Sequence, residues 1–180
     1  MPGISRRQFV AALAATAPMV SASRQLFASS TALAPRVLDF VHTHTGERLA
    51  VEYFSGGEYL RDALSTVNHF LRDFRTGEVY PIDPNLLDLL HQLTAKTGTS
   101  SAFQVISGYR SPATNEMLRQ HGEGVAAASL HMKGQAIDVR LADVPLPKLR
   151  AAALAVGRGG VGFYPASNFV HVDTGHPRTW

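Results

Sequence analysis

The sequence predicts an α+β domain, a small and mostly antiparallel central sheet with helices flanking it. Three observations predict this class. Short runs of strand-forming residues recur between turn signals from Arg36 to Gly175. Two longer segments in the first half carry apolar residues at helical spacing. The helices precede and separate the strands without the regular alternation of a parallel βαβ sheet.

The elements follow in chain order. "RVLDFVHTHTGERLAVEYF" holds two strand-like runs around Thr45-Gly46-Glu47, the pattern of an N-terminal β-hairpin. "EYLRDALSTVNHFLRDFR" places Leu60, Ala63, Leu64, Val67, Phe70, Leu71 and Phe74 on one helical face. "IDPNLLDLLHQLTAKTG" starts a helix with Asp83 as N-cap and Pro84 at the first position, and stops it at Gly98. "FQVIS" is a strand, and "SPATNEMLRQHG" a short helix capped by Ser111. Residues 121–130 form a loop of small residues. "AIDVRL" is a strand, "PLPKLRAAALAVG" a helix, and "GGVGFY" and "FVHVDTG" are two closing strands.

Charge and composition narrow the function classes. The 180 residues carry a net charge of +3, but Arg6, Arg7 and Arg24 fall in a leading segment with no acid. Without those three, 14 basic residues face 14 acidic ones, so the domain has no basic excess for binding nucleic acid. The chain has no cysteine, which excludes disulfides, thiolate metal sites and thiol nucleophiles.

The leading segment reads "SRRQFVAALAATAPMVSAS". Arg6 and Arg7 precede an apolar run from Val10 to Val20, too short to span a bilayer stably. It fits an export signal over residues 1–28, and S-R-R-x-F-V resembles twin-arginine signals. Cleavage after Ser23 or after Ala28 both fit. Residues 29–35 are then a tether and 36–180 the functional domain. The expected location is the periplasm or cell envelope, with no membrane span left once the signal is removed.

Period-two alternation identifies candidate site residues. In "AIDVRL", Ile137, Val139 and Leu141 share one face and Asp138 points to the other. In "FVHVD", Val170 and Val172 share a face, so His171 and Asp173 point the opposite way. His131 precedes the first of these strands, and Gly134 would let its loop approach closely. Two imidazoles and a carboxylate, with one position left open, are the donor set of a catalytic zinc site. Spacing alone leaves a second possibility open, that these are unrelated hydrogen-bonded residues. The remaining histidines read as surface residues.

The pattern S-x-H-x-x-G-x-A-x-D, carried by Ser129, His131, Gly134, Ala136 and Asp138, resembles the first zinc motif of the LAS metallopeptidases. That group includes lysostaphin-type enzymes, D-Ala-D-Ala carboxypeptidases and the hedgehog N-domain. "GGVGFYPASNFVHVDTGHPRTW", "HTGERLAVEYF" and "SGYRSPATN" are similar to its murein endopeptidase K branch, and the match covers residues 36–180. The resemblance implies a LAS/hedgehog-like fold with His131, Asp138 and His171 as ligands to Zn²⁺. It implies hydrolysis of amide bonds in crosslinked peptidoglycan stem peptides. Arg110 of "SGYRSP" becomes the candidate cation for the developing oxyanion, with Tyr109 and Ser107 as weaker cleft candidates.

The general base departs from the group's patterns. Carboxypeptidase-type members place a Glu three residues before the last histidine, where this chain has Asn168, and others place a His two before it, where it has Phe169. Asp173 is the best remaining carboxylate, either as base or as the group that orients a ligand imidazole. His121 and His176 are further candidates if a loop brings them in. The missing Glu favours an endopeptidase over a D,D- or L,D-carboxypeptidase. It also leaves a third class open, a domain that binds peptidoglycan without cutting it.

Overall fold

The structure is a computed structural model, and it describes residues 34–121 and 125–180. The export segment at 1–28, most of the tether and residues 122–124 of the small-residue loop lie outside the described residues.

The chain builds eight strands and four α-helices among the described residues. The strands are β1 (Arg36–His42), β2 (Arg48–Ser55), β3 (Glu58–Tyr59), β4 (Phe103–Ser107), β5 (Ala136–Arg140), β6 (Gly160–Tyr164), β7 (Phe169–Asp173) and β8 (Arg178–Thr179). The helices are α1 (Arg61–Phe70), α2 (Pro84–Thr97), α3 (Pro112–Gln120) and α4 (Leu146–Val156). A 3₁₀ turn covers Leu130–Lys133.

All eight strands join one open sheet in the order β3-β2-β1-β4-β5-β7-β6-β8. The sheet is therefore larger than the small one expected. Its two-residue end strands, β3 and β8, carry too little pattern to read from sequence. Five of the seven neighbouring pairs are antiparallel, and β1–β4 and β6–β8 are parallel. β1 and β2 pair antiparallel across residues 43–47.

Helix ends follow local chemistry. The Asp83 carboxylate accepts from the Asn85 amide at 2.9 Å, Pro84 occupies the first helical position, and Gly98 ends α2 at φ 70°. The Ser111 hydroxyl accepts from the Thr114 amide at 3.2 Å to start α3. Helix α1 stops at Phe70, one turn short of the expected run to Phe74. The Leu71 carbonyl accepts from the Tyr109 amide at 2.8 Å, and the Asp73 carboxylate accepts from the Arg75 amide at 2.9 Å. Those long-range and side-chain bonds take the backbone out of the helix.

The core is one continuous apolar cluster between α1, α2, α4 and one face of the sheet. Phe40, Val105, Ile137, Val139, Val170 and Val172 are all at most 1% exposed. Burial of apolar area on this scale is the main term favouring the fold. The buried Asp88 of α2 adds a polar lock, accepting from Arg36, Tyr53 and Tyr59 at 2.5, 3.0 and 2.9 Å. It thereby ties the first three strands to α2. The alternation that buries Ile137, Val139, Val170 and Val172 turns Asp138 and His171 to the opposite face.

Candidate active site

Sheet register brings the site together. Asp138 on β5 pairs directly with His171 on β7. On either side, Ser107 on β4 pairs with Asp138, and Gly162 on β6 pairs with His171. Directly opposed residues in antiparallel strands hold their Cβ atoms about 5 Å apart, so two ligand-type side chains meet with no help from a loop.

His131 reaches the same point from the 3₁₀ turn. The Ser129 hydroxyl caps that turn by accepting from the His131 amide at 3.4 Å. Gly134 ends it at φ 62°, where a Cβ would fall 2.1 Å from the Pro81 carbonyl oxygen. The Asp83 amide donates to the Gly134 carbonyl at 2.9 Å and seats the turn on the start of α2. Gly134 is thus required twice, for the left-handed backbone and for the close approach.

The tautomers follow from the partners. The His131 Nδ1–H donates to the Gly108 carbonyl at 2.7 Å, which leaves Nε2 with the lone pair. The His171 Nε2–H donates to Asp173 Oδ2 at 3.1 Å, which leaves Nδ1 with the lone pair. These two nitrogens lie 3.2 Å apart, and Asp138 Oδ1 lies 3.3 Å from the first and 2.9 Å from the second. Three acceptors therefore converge with their own protons committed elsewhere. A single proton would bridge two of them, whereas a divalent cation would satisfy all three. The donor set and its geometry fit such an ion, and one ligand atom from each residue lies within 4.8 Å of the others.

Electrostatics point the same way. Burial raises the Asp138 carboxyl, but His131 and His171 outweigh it and hold it well below the usual carboxylate range. Burial lowers the His171 imidazolium, yet Asp138 and Asp173 on its two nitrogens bring it above its ordinary value. The gap between the three side chains attracts positive charge.

Asp173 is fully buried behind His171. Besides the His171 ring, it accepts from the Gly160 and Gly175 amides at 2.9 and 2.8 Å and from Arg178 at 2.7 and 3.1 Å. Burial would raise its carboxyl, but these donors hold it well below the usual range. Arg110 borders the group from the other side, its Nη2 3.7 Å from Asp138 Oδ2.

The three ligand-type residues open into a cleft of about 520 Å³, also lined by Arg110, Ser107, His44, Arg75, Tyr164, Phe169, Arg178 and Trp180. Tyr109 does not line it. Its hydroxyl donates to Glu78 at 2.6 Å and its ring stacks on Tyr80. Neither His121 nor His176 lines it, and His121 Nδ1–H donates to the Met117 carbonyl at the end of α3. Asn168 takes a turn conformation at φ 54° outside the cleft. Among the described lining residues Asp138 is the only carboxylate.

Sequence reasoning missed several residues. His42 and His44 read as surface positions, but His42 is buried and His44 lines the cleft. The Trp180 ring lies 5.2 Å from His171, over Gly162, where a Cβ would meet it at 2.8 Å. The glycine opposite a strand histidine was the one signal available for that contact. Nothing in the sequence marked Asp73, Arg75 or Arg178.

Comparison with known proteins places the chain first in a class and then in a family. The model of the peptidase family Peptidase_M15_2, described as peptidoglycan L,D-endopeptidase MepK, matches residues 30–180. Peptidoglycan L,D-endopeptidase MepK of Escherichia coli (strain K12) is 46% identical over 154 residues, 86% of this chain and 85% of its own. The probable peptidoglycan L,D-endopeptidase MepK of Haemophilus influenzae is 45% identical over 147 residues, 81% of this chain and 79% of its own. The solved L-Ala D-Glu endopeptidase ChiX of Serratia marcescens aligns over 53% of this chain and 69% of its own. The TM-score of that alignment is 0.36 and the identity 19%. The chain belongs to the peptidoglycan L,D-endopeptidase MepK family.

Proposed function

We propose that this protein is a zinc-dependent murein endopeptidase that cuts amide bonds in crosslinked peptidoglycan stem peptides. The observation that carries it is the convergence of three lone pairs, from His131, Asp138 and His171, at an open cleft beside Arg110. These three residues are the proposed metal ligands. When bound, zinc supplies Lewis acidity, polarising an amide carbonyl and acidifying water.

The protein's own groups do the rest. The Gly108 carbonyl and Asp173 hold the two imidazoles in the tautomers that present lone pairs to the cleft. Asp173 acts as the positioning residue for His171. Its oxygens are occupied and it lies outside the cleft lining, so the orienting role is favoured over that of base. Arg110 directs its guanidinium to the edge of the ligand group, where it would meet charge developing on the carbonyl oxygen. Tyr164, Phe169 and Trp180 form an aromatic wall at one end of the cleft, with Tyr164 stacked on Phe169 and accepting from the Trp180 indole.

Purified peptidoglycan tests the reading. Crosslinked dimers are expected to fall to monomers, and a chelator is expected to stop the reaction. Release of a terminal amino acid would make the protein a carboxypeptidase. Binding with no new product would make it a peptidoglycan-binding module.

The proposed domain layout is an export signal over residues 1–28, a tether over 29–35 and the peptidase domain over 36–180. No helix among the described residues is long and apolar enough to cross a membrane. The twin arginine ahead of a short apolar run supports export to the periplasm. Replacing Arg6 and Arg7 together by lysine is expected to block the appearance of the protein in a periplasmic fraction. Normal export of that double variant would point to the general secretory route, which tolerates lysine.

A further inference from the structure

We propose that Arg75, with His44 beside it, forms an anion subsite at one end of the cleft that binds a free carboxylate of the peptide substrate. The inference rests on the peptide-hydrolase reading above.

The charge balance of the cleft motivates it. Three arginines, Arg75, Arg110 and Arg178, line a space whose only described carboxylate is Asp138. Arg178 is paired with Asp173, and Arg110 lies beside Asp138. Among the described residues no acidic side chain pairs with Arg75. Its guanidinium instead lies 4.3 Å from the centre of the Phe74 ring. A guanidinium laid on an aromatic face keeps its in-plane N–H donors for a bidentate acceptor, and a carboxylate matches that fork.

The subsite is held in place by buried chemistry. Asp73, 1% exposed, accepts from the Arg75 amide at 2.9 Å through Oδ1. Its Oδ2 accepts from the Ser111 amide and hydroxyl at 2.9 and 2.6 Å. One carboxylate thus ties the Arg75 loop to the residue that follows Arg110. His44 stacks on Phe74, centroids 4.3 Å apart and rings 9° from parallel. Two of the residues that face the cleft here are therefore braced against the same ring. Such preorganisation lowers the ordering cost of binding.

Strand order sets the position. His44 follows β1, and β1, β4 and β5 are successive neighbours in the sheet. At about 4.8 Å per strand, the His44 end of the subsite lies two strands, roughly 10 Å, from Asp138. An extended peptide advances about 3.4 Å per residue. The carboxylate bound here therefore sits about three residues from the amide to be cut, or at the end of a long side chain next to it. Stem peptides carry free carboxylates of this kind. The aromatic wall lies toward β6 and β8, on the other side of Asp138, so the two ends of the cleft differ in chemistry and would orient a crosslinked substrate.

Two measurements on the zinc-loaded protein test this. The first is calorimetric binding of an uncrosslinked stem tetrapeptide, with its carboxylates free or converted to primary amides. Wild type is expected to bind the acid about fivefold more tightly than the amide, as for an exposed charge-assisted pair. Arg75→Gln is expected to remove that preference, and Arg75→Lys to keep part of it. The second is steady-state cleavage of crosslinked dimers, where Arg75→Gln is expected to raise KM about fivefold with kcat within about twofold. Equal binding of acid and amide by wild type, binding of neither, or an equal loss on both peptides in Arg75→Gln would overturn the subsite. So would an unchanged KM. An Arg75-dependent acid preference without cleavage of dimers would keep the subsite and sink the hydrolase reading instead.

Discussion

Alanine at His131, Asp138 or His171 is expected to remove both the metal and the activity. Wild type should carry about one zinc per chain, and each variant far less after dialysis, as read by elemental analysis. The physical reason is geometric. The three donor atoms already converge within 4.8 Å, and losing one leaves two ligands for a cation that takes three protein ligands in catalytic sites. Asp138→Asn is the sharper variant because it keeps the shape and removes the charge that holds the group together. Asp173→Asn should behave differently. It leaves the three donors in place but gives the His171 Nε2–H a weaker acceptor. Loss of such an orienting partner weakens metal affinity by roughly ten- to a hundredfold, and added zinc should restore part of the activity. Loss of activity at full zinc occupancy would instead make Asp173 the base. Stoichiometric zinc in the alanine variants would remove the proposed centre altogether.

Arg110→Ala is expected to keep the fold and the zinc but lose turnover by a hundredfold or more, mainly in kcat. A preorganised donor to an oxyanion is worth about that much, because it acts only when the charge has formed. Arg110 is 9% exposed and sits 3.7 Å from Asp138, so its removal also takes a positive neighbour from a proposed ligand. Metal content and thermal melting must therefore be read alongside kinetics on crosslinked muropeptides. Arg110→Lys separates charge from geometry, since an ammonium keeps the charge without the planar fork. Wild-type kcat in Arg110→Ala would leave the residue a purely structural partner of Asp138.

Much of the site was legible because it lies on strands and in a short motif. Alternation in "AIDVRL" and "FVHVD" is a one-dimensional signal, and it already turned Asp138 and His171 away from the core. The helix boundaries around Asp83, Pro84, Gly98 and Ser111 were legible for the same reason, since caps act within three or four residues. The size of the sheet was not legible, because two-residue strands such as β3 and β8 depend on the neighbours they pair with.

Pattern along the chain was enough for the α+β class, the caps of the central helices, the alternation that turns Asp138 and His171 away from the core, and a close approach of the loop at Gly134. These depend on spacing along the chain and on intrinsic backbone preference. The register that sets Asp138 against His171, and the nitrogen of each imidazole that faces the cleft, emerge from the folded sheet and its buried hydrogen bonds. The same packing puts Asp173 behind His171 rather than in the cleft, and has Asp73 tie the Arg75 loop to Ser111. The long-range members of that set join residues 23 to 38 positions apart through sheet pairing and buried hydrogen bonds, and local sequence pattern carries no record of such pairings.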